Sequence, residues 1–379
     1  MNTVAAKPSA TSTEDCAFMD RALELARRGE ALASPNPMVG AVLVCDGRAI
    51  AEGFHTYDAK QHAEVVALEA AKQAARGATL YVNLEPCSHS GRTGPCTQAI
   101  IAASVARVVA AVEDPNPAVA GQGFAQLRSA GIRVESGLRA EQACRLNEAF
   151  ARWVVSRRPL VTLKSAMTLD GRLALPKRRG KPQERWITSE ASRAEVQRMR
   201  HASDAILTGI GTIVADDALL TDRTGLPRRR KLLRVVMDSR LRLPLNSKLV
   251  RTCEEDVLVL TRASDTSTRA RALRRAGVEV VRLPGRGARP DLRAAIEELG
   301  RRELLSVLLE AGATLNDAAI TAGIVDKVRV FYAPKLALAS PGRARGRAAH
   351  PVQPLEDLSI SRFGSDLMIE GYVRGPDSK

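Results

Sequence analysis

Aromatic side chains are scarce in this chain: two Trp, four Tyr and six Phe amount to 3% of the residues. Unpaired bases bind largely by stacking on such rings, so little is present from which to build a single-stranded nucleic-acid surface. Long apolar runs are missing too, none reaching the roughly eighteen residues that a membrane-spanning helix needs. The opening "MNTVAAKPSATSTED" lacks the apolar stretch of a secretory signal. A soluble, cytoplasmic protein without membrane or nucleic-acid contact is expected. Cys16, Cys45, Cys87, Cys96, Cys144 and Cys253 are scattered along the chain, which excludes a dense disulfide framework. Also absent is a G-x-G-x-x-G turn after the first strand of the second half, so the usual dinucleotide-binding fingerprint is excluded there.

What is present in excess is positive charge, with 57 Lys and Arg against 42 Asp and Glu, a net charge of +15. The runs "PKRRGK" (176–181), "PRRRK" (227–231) and "RARGR" (343–347) are either solvated loops or patches for anionic ligands. Given so few rings, anionic small molecules suit them better than RNA. A chain of 379 residues that is 45% hydrophobic can fill two cores.

Residues 1–14 read as a disordered tail. Beyond it "CAFMDRALELARRGE" has helical spacing, and two apolar runs around Asp46-Gly47 form a hairpin signal. A helix over 62–75, a strand at "TLYVNL", a cysteine loop and a helix N-capped by Thr97 come next, then the strand "RVVAAV", a helix to Ala130, the strand "IRVE" and a helix over 139–152. The rhythm is α/β, and it restarts at "PLVTLKSAMTLDG", which puts a boundary near 155. Further strands are expected at "DAILTG", "LRVVMD", "DVLVL", "VEVVRL", "LLSVLLE" and "KVRVFYA".

With only five histidines in the chain, the grouping of His62, Glu64, Cys87 and Cys96 is conspicuous. One imidazole and two thiolates make three ligands, the count for a catalytic zinc that keeps its fourth position for water; a structural zinc normally takes four. Glu64 is too near His62 in sequence to be a convenient fourth ligand, yet it is well placed to move a proton. H-x-E followed by P-C and a second Cys is the nucleobase-deaminase pattern, here with eight residues between the cysteines.

"SPNPMVGAVLV", "HAEVVAL", "NLEPCSHSGRTGPC" and "EDPNPAVAG" together resemble the deaminase half of the bifunctional riboflavin-biosynthesis deaminase/reductase family. That resemblance implies a cytidine-deaminase-like three-layer α/β/α domain over 15–154 acting on a phosphorylated aminopyrimidine. It also implies that Asn36, His55, Arg92, Asp114 and Asn116 hold the pyrimidine or its phosphoribosyl arm. Taken alone, Asn36, Asp114 and Asn116 are equally readable as loop caps.

In the second half, "LLSVLLEAGATL" is a strand, a turn at Gly312 and a helix, offering N–H groups to an anion. Asp216 and Asp217 have no third acid or histidine to complete a metal site. "KSAMTLDGRLA", "WITSEASRAEVQRMR", "GIGTIVADDALLTDR", "MDS", "LLEAGATL" and "FYAPKL" resemble the reductase half of the same family. This second resemblance implies a dihydrofolate-reductase-like α/β domain over 155–379 that uses NADPH. Ala166, Trp186, Thr212, Asp216, Ser239 and Gly312 then fall on the cofactor side, and Arg200, Leu220, Arg223 and Glu310 on the substrate side. Arg200 and Arg223 suit a phosphate, and Glu310 suits ribose hydroxyls. A homo-oligomer is expected. The competing functions are a tRNA or other nucleic-acid deaminase with a C-terminal RNA-binding module, and a non-enzymatic fold with structural zinc.

Overall fold

The computed structural model describes residues 13–89, 93–173, 186–285, 287, 289–337 and 353–373. Arg92 and the basic runs at 176–181 and 343–347 fall wholly or largely outside them. The chain divides into two compact units, Met1–Ser156 with Pro227–Arg229, and Arg157–Leu226 with Arg230–Lys379. No described helix is long and apolar enough to cross a membrane.

The first unit runs α1 (Thr13–Arg27), β1 (Gly40–Cys45), β2 (Arg48–Phe54), α2 (Ala63–Ala71), β3 (Thr79–Val82), α3 (Cys96–Ala102), β4 (Arg107–Ala110), α4 (Gln122–Ser129), β5 (Arg133–Ser136), α5 (Ala140–Leu146) and α6 (Glu148–Ser156). Thr13 and Glu14, assigned to the tail by sequence, begin α1, whose acidic first turn complements the helix dipole. The sheet order is β2-β1-β3-β4-β5, antiparallel around β1 and parallel from β3 to β5. Successive strand residues point to opposite faces. Ala41, Leu43, Leu80, Val82, Val108 and Ala110 therefore pack under α2, α3 and α4. Val42, Val44, Tyr81 and Val109 pack under α1 and α5. Three layers result.

Two local expectations fail, each for a visible reason. Thr97 is not an N-cap, because α3 starts one residue earlier, with Pro95 at the cap. The first-turn N–H groups are taken instead by Cys87, whose Sγ accepts from Cys96 N (3.3 Å) and whose carbonyl accepts from Thr97 N (3.1 Å). The helix expected over 139–152 breaks at Asn147, a buried side chain that bonds both the N–H and the C=O of Met38.

The second unit runs β6 (Leu160–Thr168), α7 (Glu190–His201), β7 (Ala205–Gly209), α8 (Ile210–Asp216), β8 (Leu233–Met237), α9 (Lys248–Arg251), β9 (Val257–Thr261), α10 (Thr268–Arg275), β10 (Glu279–Arg282), α11 (Leu292–Arg301), β11 (Ser306–Leu309), α12 (Ala313–Thr321), β12 (Lys327–Ala333), β13 (Leu355–Phe363) and β14 (Asp366–Val373). The sheet order is β10-β9-β8-β7-β11-β6-β12-β14-β13, parallel up to β12 and antiparallel beyond. α11 and α12 cover one face and α8, α9 and α10 the other. The β13–β14 hairpin was not expected from the sequence. In such a sheet ligands gather outside the carboxyl ends of the parallel strands, where the turns after β7, β8 and β11 lie side by side.

Candidate active sites

His62 stands at the N-cap of α2, and Cys96 opens α3 after the Cys87 loop. The ligand atoms of His62, Cys87 and Cys96 all lie within 4.8 Å of one another. His62 Nδ1 is 3.0 Å from Cys96 Sγ and 3.5 Å from Cys87 Sγ. Zn–N and Zn–S bonds of about 2.0 and 2.3 Å imply tetrahedral N–S edges of about 3.5 Å, which the His62–Cys87 separation meets and the His62–Cys96 separation falls short of by about 0.5 Å. The thiols contend for protons: Cys87 is held well below the ordinary thiol range, chiefly by Cys96 and then by His62, while Cys96 is pushed up by Cys87 and by burial. A divalent cation is the natural replacement for the proton that they share, so the donor set fits zinc.

Glu64 sits in the first turn of α2 and is 3% exposed. Burial raises its carboxyl above the ordinary glutamate range, with His62 pulling the other way. His55 is buried, its ring 5.4 Å from that of His62. Its Nδ1 lies 2.8 Å from the Gln61 carbonyl, an acceptor only, so Nδ1 carries a proton. Nε2 is then free to accept from the Asn36 amide at 3.0 Å. Asp114 and Asn116 come after β4, with Asp114 Oδ1 accepting from Asn116 N at 2.8 Å. A depression whose lining includes Glu85, Pro86, Cys87, His89, Asp114 and Gly123 sets Asp114 beside Cys87, one of the three candidate ligands. The Asp114 carboxyl is raised mainly by burial, against the Asn116 N–H that lowers it. Arg92 lies outside the described residues.

In the second unit Arg200 forms a two-pronged pair with Glu310, Nε to Oε1 at 2.7 Å and Nη2 to Oε2 at 2.9 Å. A third N–H goes to the Thr221 carbonyl at 3.0 Å. Lys164 Nζ lies 4.0 Å from Glu310 Oε2. Burial lowers the affinity of Lys164 for its proton. Burial also pushes the Glu310 carboxyl up, but Arg200 and Lys164 together hold it below the ordinary range. Much of the Arg200 fork and of the Glu310 carboxylate is thus committed to internal pairing. Arg223 differs: it is exposed, and its guanidinium makes no hydrogen bond or ion pair among the described residues.

The Arg223 loop is tied down by one face of α7. Gln197 Oε1 accepts from Arg223 N (2.9 Å), Arg200 holds the Thr221 carbonyl, and His201 Nδ1 meets Asp222 Oδ2 (2.8 Å). Residues three and four apart share a helix face, so the spacing within "QRMRH" was the signal that could have revealed this tether. Leu220 has φ 55 and a side chain buried in the core. Any contact it makes with a substrate is through its backbone.

On the cofactor side Trp186 is 48% exposed, with the Arg193 guanidinium 5.2 Å from its ring centre, so it is not a core aromatic. Ala166 lies on β6 beside Phe331 of β12. Thr212 and the exposed Asp216 lie on α8, and Ser239 comes after β8. Gly312 is the N-cap of α12, with no side-chain cap and open space where a Cβ would be. Asn316 Oδ1 is buried in that helix without a hydrogen-bond partner among the described residues. An uncapped first turn at the carboxyl edge of a parallel sheet fits the phosphates of a nicotinamide dinucleotide.

A zinc-type deaminase domain joined to a dihydrofolate-reductase-like domain is therefore the class that fold and sites define. Comparison with known proteins agrees. Residues 12–112 match the cytidine and deoxycytidylate deaminase zinc-binding region, and residues 159–369 match the RibD C-terminal domain. The chain is 41% identical to the riboflavin biosynthesis protein RibD of Actinobacillus pleuropneumoniae, over 96% of each chain. It is also 41% identical to that of Escherichia coli K12, over 92% of this chain and 95% of that one. The structure of Acinetobacter baumannii RibD superposes with a TM-score of 0.81 at 36% identity, covering 95% of this chain and 99% of that one. The chain belongs to the RibD family of bifunctional riboflavin-biosynthesis enzymes.

Proposed function

We infer that the chain carries out two steps of riboflavin biosynthesis. The first is zinc-dependent hydrolytic deamination of 2,5-diamino-6-(5-phosphoribosylamino)pyrimidin-4-one. The second is NADPH-dependent reduction of the ribosyl chain, giving 5-amino-6-(5-phosphoribitylamino)uracil. The observation that carries this reading is the convergence of one imidazole and two sulfurs beside a buried carboxylate.

His62, Cys87 and Cys96 hold the zinc, which when bound supplies a Lewis acid that makes water acidic near neutral pH. Glu64 takes a proton from the attacking water and hands it to the departing amino group. Burial favours that role by raising the carboxyl's proton affinity. Asn36, oriented by His55, pairs with the pyrimidine edge; Asp114 and Asn116, with Arg92, hold the rest of the substrate.

In the reductase half NADPH supplies the hydride when bound. Trp186, Ala166, Thr212, Asp216, Ser239 and Gly312 flank it, and alignment with the sugar carbon is the main requirement. Arg223, unpaired and exposed, takes the substrate phosphate. Arg200, Glu310 and the backbone at Leu220 shape the ribose side.

A cytoplasmic setting belongs to the same proposal, supported by six cysteines that are all unpaired. So does a homo-oligomer, supported by β13, on which Leu358 and Ile360 are 62% and 68% exposed. Purified protein given the diaminopyrimidine ribosyl phosphate tests the whole. Ammonia should be released without NADPH, and NADPH should be oxidised only after deamination. Ammonia release that requires NADPH, or none in zinc-replete protein, would overturn it.

A further inference from the structure

Glu85 lies between the end of β3 and the ligand Cys87, and it is buried. Its carboxylate receives four backbone N–H groups, all from the segment after β4. Oε2 accepts from Asp114 N (3.0 Å) and Gly121 N (2.9 Å). Oε1 accepts from Gly123 N (2.8 Å) and Phe124 N (3.2 Å). Helix α4 begins at a glycine N-cap with no side chain to satisfy its first N–H groups. Glu85 provides that cap from another part of the chain, with its negative charge at the positive end of the helix.

The approach is close enough to dictate sequence. A Cβ on Gly123 would stand 2.1 Å from the Pro86 carbonyl and 3.1 Å from Glu85 Oε1. Glu85 thus joins the loop carrying Cys87 to the loop carrying Asp114 and Asn116, the two walls of the depression beside the zinc ligands. With four donors to satisfy, it has little left to offer a metal or a substrate.

We propose that Glu85 is a positioning residue of the deaminase, setting the Asp114–Asn116 loop at the distance from the zinc site that the phosphorylated aminopyrimidine requires. The inference rests on reading Asp114 and Asn116 as substrate contacts. Its effect is on substrate capture, while the proton chemistry at Glu64 is left intact.

The test uses full-length Glu85→Gln protein. Glutamine keeps the shape but replaces one acceptor oxygen with an NH2 that faces two N–H donors. The deaminase KM should rise by about tenfold or more with kcat changed less than about threefold, the signature of lost binding rather than lost chemistry. Zinc content should stay at one per chain, and the reductase rate on deaminated intermediate should not move, which reports folding within the same polypeptide. Gly123→Ala, whose Cβ would meet the Pro86 carbonyl at 2.1 Å and Glu85 Oε1 at 3.1 Å and so push α4 off the clamp, should reproduce the split with zinc retained, and decides the matter if Glu85→Gln is insoluble. Asp114→Asn is measured in parallel. An unchanged KM in Glu85→Gln with a raised KM in Asp114→Asn overturns the positioning role alone. An unchanged KM in both overturns the reading of the loop as well. Loss of zinc from Glu85→Gln would make the residue a support for the metal loop, and would also overturn the proposal.

Discussion

In the deaminase unit one imidazole nitrogen and two sulfurs from three places in the chain converge within 4.8 Å, a donor set suited to a divalent cation. In the reductase unit the Glu310 carboxylate is already paired with the Arg200 guanidinium and lies 4.0 Å from Lys164 Nζ. The first arrangement is incomplete without a cation; the second is complete as protein and presents a shaped, partly neutralised floor. Chemistry that splits water needs specific groups with displaced proton affinities. Hydride transfer needs two carbons held in line. Substitutions should therefore abolish activity in one unit and erode binding or stability in the other.

The sharpest separation should come from Cys96→Ala. Removing one of three ligands should empty the zinc site and lower ammonia release by at least about a thousandfold. NADPH oxidation on deaminated intermediate should persist, and metal analysis with the two assays reads all three. Glu310→Ala should act on stability, because it strands the buried Arg200 guanidinium at a cost of about 3 kcal/mol. Thermal melting should show the loss in the reductase unit, with ammonia release retained. The same pair sets a pH limit. The Glu310 carboxyl is depressed in the folded state, so its stabilisation is complete above the unfolded value of about 4.3 and drains away as pH falls through the lower folded value. Acid unfolding followed by tryptophan fluorescence should therefore begin nearer neutrality in Glu310→Gln.

Arg223→Ala should have a smaller and different effect. Because its guanidinium is unpaired, the melting temperature should hold while KM for the reductase substrate rises about tenfold, equivalent to about 1.4 kcal/mol. Smallest should be Ser267→Ala, which removes the N-cap bond to Ala270 N and costs about 1 kcal/mol of stability with both activities unchanged. If Arg223→Ala lowers the melting temperature as Glu310→Ala does, the contrast between committed and available arginines fails.

The convergence of His62, Cys87 and Cys96 was legible in the sequence because it is written in side chains that have few other reasons to cluster. So were most strands of both sheets and the Asp46-Gly47 turn, where both residues do take positive φ. The clamp at Glu85 was not legible, because its partners are backbone N–H groups, which every residue but proline carries. The pairing of Arg200 with Glu310 was hidden as well: 110 positions separate two residues that the family resemblance placed on the substrate side, one suited to phosphate and the other to ribose. β13 escaped since its side chains are exposed on both faces, so no alternation of apolar and polar residues marks it. Thr97 misled because a cap is defined by which atom reaches the helix N–H groups, and the Cys87 loop arrives there first.

The decisive measurement is made on full-length Glu64→Gln protein with its zinc counted. One zinc per chain should remain, NADPH oxidation on deaminated intermediate should be unaltered, and ammonia release from the aminopyrimidine phosphate should fall by about a hundredfold to ten-thousandfold. Ammonia released at the unsubstituted rate from zinc-loaded Glu64→Gln would contradict a proton shuttle at that carboxylate.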